Sequence, residues 1–247
     1  MKLYLEMMKK PVFSLEDVAA VYNNIDTGKN YVSLLQKSGH IDRIRKNMYT
    51  CISPETGLPI ANKFQIASAI SKTSFVSHHT ALEYYGVTDQ VYYEVYVASE
   101  TRFKGFEYDG YTYRCIVTNL LEGIIEPTLS KGIKVSDLER TVIDSIKDFE
   151  KISGIEEVLA AIELLPQLNE PSLLMYLEDY SNQFLYQKTG FILSQYKIQF
   201  GLSDGFFEKC RNMSGKSKRY FTKDAGCTVW NADWKMMVPT NLFDIKN

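Results

Sequence analysis

The sequence predicts an α+β protein: an N-terminal winged helix-turn-helix over residues 1–54, followed by a larger mixed α/β domain over residues 60–247. The chain has 247 residues, 45% of them hydrophobic, which is enough for two modest packed cores. Three helical patterns and one hairpin pattern occupy the first fifty residues. Aromatic and β-branched runs then alternate with helical patterns, and the turn-forming stretch "SPETGLP" predicts a linker between the two domains.

Two short helices open the chain. Residues 2–9 form the first, which ends before Pro11 because proline cannot continue a helix. Ser14 is a good N-cap for the second, and Glu16 and Asp17 follow where the helix dipole favours acids. The apolar face of this helix consists of Leu15, Val18, Ala19 and Tyr22.

A third helix is predicted from about Gly28 to Lys37, with Asp26 or Thr27 as its cap. We expect the inward side chains to be Tyr31, Leu34 and Leu35. The opposite side holds the polar and basic residues Lys29, Asn30, Ser33 and Lys37. Two short helices joined by a tight turn form a helix-turn-helix, whose outer face can enter a DNA major groove.

The stretch "HIDRIRKNMYTCI" predicts a β-hairpin with Lys46-Asn47 at its turn. The cations near the tip are Arg43, Arg45 and Lys46. Three helices and a basic hairpin are typical of a winged helix, in which the helix reads base edges and the hairpin neutralises phosphates. A small helical cap with solvated lysines would give the same pattern.

The larger domain is predicted to begin with a helix at about 62–72 and to continue with strands. The strand patterns cover 91–99, 111–118 and 132–136, with Asp109-Gly110 between the first two. Late strands are predicted in "KRYFT" and "TVWNADWKMMVP".

Helices dominate the region between the early and late strands. Capping boxes are predicted at Ser136 with Glu139 and at Ser153 with Glu156. Pro166 ends one helix and Pro171 starts the next. Arg140 and Asp144 are spaced for an ion pair on one helix, and Gly190 is expected to permit close packing.

Positive charge is concentrated in two segments, although the net charge is −2. Residues 1–50 contain eight Lys or Arg and five Asp or Glu, a balance of +3, so the remainder has −5. The second segment contains Lys209, Arg211, Lys216, Lys218, Arg219 and Lys223, with no acid between them. This run is either a second phosphate-contacting surface or a solvated loop.

The paired histidines His78 and His79 are the most conspicuous candidates for chemistry. Ser77 can cap a helix here and Gly86 can end it. Adjacent helical residues point about 100° apart, so the two histidines are poorly placed to bind one metal. The four cysteines are scattered, and nucleotide-binding and hydrolase motifs are absent. We therefore expect no catalytic residue, no metal and no cofactor.

A metal-dependent nuclease is the enzymatic alternative. Its carboxylates would be Glu94 and Asp109, holding Mg²⁺ and positioning water. No lysine follows them at short strand spacing, so the pattern favours a non-enzyme.

Several strings occur in one order along the chain: "HIDRIRKNMYTC", "FVSHHTALEYYGV", "VSDLERTVIDSI", "YQKTGFIL" and "SGKSKRYF" with "VWNADWKMMVP". Together they resemble the AbiE-type abortive-infection antitoxins of type IV toxin–antitoxin systems, over about residues 3–240. The resemblance implies an N-terminal winged helix that represses its own operon and a C-terminal antitoxin domain. It also implies a separate nucleotidyltransferase-like toxin, which the antitoxin counteracts without a stable complex.

The resemblance also implies which residues contact DNA. The recognition helix is residues 27–38, the wing is residues 40–52, and the partner is double-stranded operator DNA with inverted repeats. The expected contacts are Thr27, Lys29, Asn30, Tyr31, Ser33, Lys37, Arg43, Arg45 and Lys46. The basic run at 209–223 becomes a candidate antitoxin surface. A stand-alone regulator linked to viral defence would have the same build.

The sequence contains no signal-peptide pattern at its N-terminus and no apolar run of about 18 residues that could cross a membrane. We expect a cytoplasmic protein with no membrane partner.

Overall fold

The computed structural model describes residues 2–88, 90–152, 154–223 and 226–243, which form helices and strands in mixed order. The predicted α+β class is therefore confirmed. The chain divides into two compact units, Met1–Val76 with Val91–Ser136 and Ser77–Gln90 with Asp137–Asn247. The predicted linker at 53–59 lies inside the first unit. Within the described residues, no helix is both long and apolar enough to cross a membrane.

The first unit begins with three helices and a hairpin. These elements are α1 (Lys2–Met7), α2 (Leu15–Tyr22), α3 (Ile25–Lys37), β1 (Ile41–Arg45) and β2 (Met48–Cys51). They enclose a hydrophobic cluster of Tyr4, Met7, Phe13, Val18, Val32, Ile41 and Cys51. Burial in this cluster raises the pKa of the Cys51 thiol to about 12, so the thiol stays protonated. The first sixty residues thus contain a core of their own.

The rest of the first unit is one helix and a six-stranded sheet. The elements are α4 (Lys63–Ala69), β3 (Phe75–Val76), β4 (Glu94–Ser99), β5 (Phe106–Tyr108), β6 (Tyr111–Val117), β7 (Ile124–Ile125) and β8 (Val135–Ser136). The strand order is β5-β6-β4-β3-β8-β7, with β4 parallel to β6 and β3 parallel to β8. Strand β4 is buried on both faces, as its apolar run "VYVA" predicts.

Helix α3 differs from the prediction in its first residue and in which of its side chains are buried. It begins at Ile25 rather than Gly28, because Asn24 is the N-cap and its side chain accepts a hydrogen bond from the Thr27 amide at 2.9 Å. Asp26 and Thr27 therefore lie in the first turn and do not cap. Leu34 was expected to point inward, but 59% of it is exposed. The buried positions are Gly28 and Val32.

The second unit is mainly helical, with a small sheet near its end. Its helices are α5 (His78–Tyr84), α6 (Leu138–Asp148), α7 (Ile155–Glu163), α8 (Glu170–Tyr180), α9 (Gln183–Ser194), α10 (Lys197–Phe200) and α11 (Asp204–Met213). Its strands are β9 (Arg219–Tyr220), β10 (Thr228–Asn231) and β11 (Met236–Pro239), in the order β10-β11-β9. Helix α6 lies at the centre, with α5, α7, α8 and α9 packed against it.

The two predicted capping boxes of this unit need correction. Helix α6 is capped by Asp137, which accepts a hydrogen bond from the Arg140 amide at 2.8 Å. Ser136 is the last residue of strand β8 and is not the cap. Ser153 lies outside the described residues, and Gly154, which precedes α7, makes no side-chain cap.

Two predicted contacts in this unit are confirmed. Arg140 and Asp144 form a fully buried ion pair, with Nε and Oδ2 3.4 Å apart. Gly190 faces the indole of Trp234, and a Cβ at position 190 would lie 2.2 Å from that ring. Only glycine permits this approach, because real Cβ atoms do not come within 3.0 Å of a neighbour.

Candidate nucleic-acid interface

Helix α3 exposes one polar and basic face. Lys29, Asn30, Ser33 and Lys37 are all exposed, as predicted from the helical spacing. Thr27, in the first turn, is half-buried. Lys29 forms an exposed ion pair with Asp26, at 3.0 Å, and such surface pairs are weak enough to open when a phosphate approaches. The face therefore offers two lysines with an amide and a hydroxyl between them.

The opposite side of α3 packs closely on α2. A Cβ added at Gly28 would lie 3.1 Å from the Cα of Ala19, closer than nine in ten real Cβ contacts. Val32 is buried one turn further along. Glycine at position 28 thus allows the two helix backbones to approach, which fixes the angle at which α3 presents its polar face.

An aromatic pair joins the exposed surfaces of α2 and α3. The rings of Tyr22 and Tyr31 are stacked, with centroids 4.7 Å apart and an interplanar angle of 1°. Tyr31 was expected to face inward, but 38% of it is exposed. The stack therefore packs the Tyr31 ring of α3 against Tyr22 of α2.

The hairpin β1–β2 has the predicted turn. Asn47 has φ +58°, the left-handed conformation that asparagine tolerates best after glycine. Its side chain accepts a hydrogen bond from the Leu15 amide at 2.9 Å and donates one to Glu16 at 2.7 Å. The bond from Asn47 lowers the pKa of the Glu16 carboxyl. These contacts anchor the hairpin turn to the first turn of α2.

The three cations of the hairpin are not equivalent. Arg43 and Lys46 are exposed, whereas Arg45 is half-buried. The Arg45 guanidinium lies 5.8 Å from the ring centroid of Phe103 and 5.1 Å from that of Phe106. Its Nη1 is buried and makes no hydrogen bond within the described part of the chain. Arg45 therefore acts through cation–π contacts, which sequence spacing could not reveal because these rings lie about sixty residues away.

A second contact links the hairpin to the same region of the six-stranded sheet. The Tyr108 hydroxyl donates a hydrogen bond to Asp42 at 3.0 Å. Burial, and then this bond, raise the pKa of Tyr108, so the hydroxyl remains a donor at neutral pH. The β1–β2 hairpin is thus held at its turn by Asn47 and along its side by Asp42 and Arg45.

Several cations of the basic run at 209–223 contact acidic or aromatic side chains, and several are exposed to solvent. Lys209 pairs with Glu178 at 2.9 Å, and the Arg211 guanidinium lies 5.6 Å from the Trp234 ring. Arg219 lies 5.1 Å from the ring of Phe184. The exposed members are Arg211, Lys216, Lys218 and Lys223, of which Lys218 lies 5.7 Å from the ring of Trp230.

The paired histidines are buried in the second unit, at the start of α5. Ser77 does not cap the helix through its side chain; its hydroxyl lies 2.8 Å from Nδ1 of His78. His78 Nε2 is 3.5 Å from Asp148, and His78 has a left-handed φ of +55°. Burial raises the pKa of Asp148, but the hydrogen bond with His78 and the charge of Lys147 outweigh it and hold the pKa well below its usual value. The interaction is therefore an internal polar contact.

The two carboxylates of the nuclease alternative lie in β4 and in the turn that precedes β6. Glu94 accepts a hydrogen bond from Arg114 Nε at 2.6 Å and another from the Tyr96 hydroxyl at 2.8 Å. Asp109 lies in the turn between β5 and β6 with φ +49°. Among the described residues, no group of three or more His, Cys, Asp or Glu is arranged to hold a metal ion.

Comparison with known proteins gives a likeness to a solved structure. No family model matches the chain, and no curated protein matches it. The fold is similar to the crystal structure of the RV2827C protein from Mycobacterium tuberculosis, with a TM-score of 0.63 and 12% sequence identity. The match covers 92% of this chain and 86% of the mycobacterial chain. At this identity the likeness concerns the fold alone.

Proposed function

We propose that this protein is a DNA-binding repressor that acts as the antitoxin of a type IV toxin–antitoxin system. In this proposal α1–α3 and the β1–β2 hairpin form a winged helix. The observation on which it depends is the exposed face of α3, with Lys29, Asn30 and Lys37, on the same small core as the exposed hairpin cations Arg43 and Lys46.

The dimensions of α3 suit the major groove of duplex DNA. An α-helix with its side chains is about 10–12 Å across, which matches the major-groove width of about 12 Å, and the thirteen residues of α3 extend about 20 Å along the groove. The amide of Asn30 can accept and donate at once, which is the pattern that reads adenine. Lys29 and Lys37 flank it and would contact phosphates or guanine, while Arg43 and Lys46 would neutralise the neighbouring backbone.

The contacts that hold α3 and the β1–β2 hairpin against α2 favour this role. Contacts at Gly28 and Asn47 fix α3 and the hairpin turn on α2. A recognition surface gains affinity when its parts are held in place before binding, because less conformational entropy is then lost.

The antitoxin part of the proposal is supported by the ordered strings in the sequence. In this role the protein counteracts a nucleotidyltransferase-type toxin without a stable complex and performs no catalysis. It represses its own operon by binding inverted repeats. A stand-alone regulator with the same DNA-binding surface is the alternative, and the neighbouring gene distinguishes the two.

Binding to the DNA upstream of the protein's own gene tests the repressor role. Fluorescence anisotropy with that duplex should show specific binding, and a shuffled duplex of equal length is the control. The absence of any complex at low salt, where electrostatic attraction is strongest, would refute DNA binding.

Co-expression tests the antitoxin role separately. The product of the adjacent gene should arrest growth when expressed alone, and this chain should restore growth. If the neighbouring product is harmless, or if this chain gives no rescue, the antitoxin assignment fails while the DNA-binding assignment stands.

A further inference from the structure

The small sheet of the second unit presents two aromatic rings on one face. Met237 of β11 is paired with Trp230 of β10 on one side and with Tyr220 of β9 on the other. Paired residues of neighbouring strands project from the same face of a sheet. Tyr220, Met237 and Trp230 therefore form a strip across the three strands, which we call the aromatic strip.

The aromatic strip faces outward. Tyr220 is 57% exposed and Trp230 is 44% exposed, while the next residues along β11 on either side of Met237, Met236 and Val238, are buried. The sheet thus has a core face and an outer face, and the outer face displays the large rings. Contiguous exposed apolar surface commonly marks an interaction site.

Positive charge adjoins the strip. The Lys218 ammonium lies 5.7 Å from the centre of the Trp230 ring, and Lys216 and Lys223 are exposed on the segments that flank β9. The sequence from 209 to 223 contains no acidic residue, and Asp224 follows it. An acid, Asp233, lies in the turn between β10 and β11 and is exposed. The rings are therefore combined with a local excess of cations.

From this combination we infer that the outer face of the small sheet binds single-stranded RNA. Bases stack on exposed aromatic rings, and neighbouring lysines neutralise the phosphates. Sheet-based modules hold two or three unpaired bases on aromatic side chains in this way. Strand spacing puts Tyr220 and Trp230 about 10 Å apart at their backbones, which leaves room for a base over each ring and one above Met237. This activity is distinct from duplex binding by α3.

Tryptophan fluorescence offers a direct probe of the stacking. The chain has two tryptophans, and the other one, Trp234, is only 4% exposed. Titration of the full chain with an unlabelled mixed-sequence RNA of about 12 nucleotides should quench the emission of Trp230. The quenching should be absent in Trp230→Phe, whereas this variant should retain binding by anisotropy because phenylalanine also stacks.

Affinity measurements on variants test the same surface. Trp230→Ala and Tyr220→Ala should each weaken RNA binding about tenfold, in line with the loss of one stacked base. Val229→Ala is the matched control. Val229 is 51% exposed and lies next to Trp230 on β10. It pairs with Val238 and therefore projects from the opposite face of the sheet. The Val229→Ala variant should leave the affinity unchanged.

Three outcomes would overturn the inference. These are unchanged RNA affinity in both aromatic variants, equal displacement of the RNA by polyglutamate, and tighter binding to the DNA oligonucleotide of the same sequence. The second would mean that the surface recognises charge without stacking, and the third that RNA is not its ligand. Circular dichroism of each variant must match the wild-type spectrum for its affinity to be interpreted.

Discussion

Gly28 of α3 lies against Ala19 of α2 so closely that a Cβ at position 28 would be 3.1 Å from the Ala19 Cα. The backbones of the two helices are therefore in near contact at this point, and the orientation of the polar face of α3 depends on it. The first prediction concerns this contact.

Gly28→Leu should lower the free energy of unfolding by about 1–3 kcal/mol, because the added side chain must push α2 and α3 apart. It should also weaken the proposed duplex binding, since the polar face of α3 would turn away from the hairpin. Urea denaturation and anisotropy measure the two effects. Gln36→Leu, which adds the same side chain at an exposed position of α3, should change neither. An unfolding free energy equal to that of the wild type in Gly28→Leu would show that α2 and α3 pack less closely than the geometry indicates.

The salt dependence of duplex binding tests the four exposed cations of the proposed surface, which are Lys29, Lys37, Arg43 and Lys46. Counterion release predicts a slope of log K against log salt near −3.6 for each bound chain. Replacing Lys46 with alanine should make the slope shallower by about 0.9. Lys131→Ala, at an exposed position outside the surface, should leave the slope as it is. A slope near zero would mean that the interface does not contact the DNA backbone.

Arg45 should behave differently from its neighbours. Its guanidinium lies 5.1 Å from the Phe106 ring centroid, so Arg45→Met should retain much of the packing but lose the cation–π contact. We expect a loss of about 0.5–2 kcal/mol in unfolding free energy and an unchanged salt slope. If the slope instead becomes shallower by about 0.9, Arg45 contacts a phosphate, as Lys46 is expected to do.

Asn30→Ala should mainly affect sequence preference. The amide on the exposed face can make a bidentate contact with adenine, worth about 1–3 kcal/mol of discrimination. Affinity for the operator should fall, and affinity for a shuffled duplex should hold. A parallel fall on both duplexes would mean that Asn30 contacts the backbone and not a base. Comparing the two titrations at one salt concentration gives the answer.

Lys188 should make the second unit more stable as the pH rises from neutrality. Burial lowers its pKa to about 8, from its usual value of about 10.5. Between these values the unfolded chain binds more protons than the folded protein, so the unfolding free energy increases with pH, by up to about 1.4 kcal/mol per pH unit. Below pH 8 the Lys188 side chain is protonated in both the folded and the unfolded protein. The free-energy cost of burying its charge is then independent of pH.

The matched variant isolates this group from other titrations. Lys188→Met removes the buried charge, so its stability advantage over wild type should be largest at pH 7 and should shrink towards pH 10. Lys216→Met, at an exposed position, should show no such trend. A constant difference between Lys188→Met and wild type across this range would contradict the lowered pKa.

Much of the local structure could be predicted from the sequence. Ser14 caps α2 with a full capping box, Asn47 makes the hairpin turn, and Arg140 pairs with Asp144, all as the residue types indicate. These features depend on side chains within four residues of each other or on conformational preferences of one residue.

The features that the sequence predicted wrongly depend on contacts between distant parts of the chain. Leu34 is exposed because Gly28 and Val32 supply the packing surface of α3, a choice set by where Ala19 lies. Arg45 was expected among the free cations, yet Phe103 and Phe106 hold it. The aromatic strip was not foreseen, because Tyr220 and Trp230 become neighbours only through their shared pairing with Met237.

The order of strands in the six-stranded sheet has a consequence for biosynthesis. Strand β3 ends at Val76, but its parallel neighbour β8 begins at Val135, after the chain has supplied residues 77–90 to the second unit. A nascent chain therefore cannot complete the first unit until about sixty further residues have left the ribosome. At about 5–20 residues per second this delay lasts several seconds, during which β3 has an unpaired edge that a chaperone could recognise.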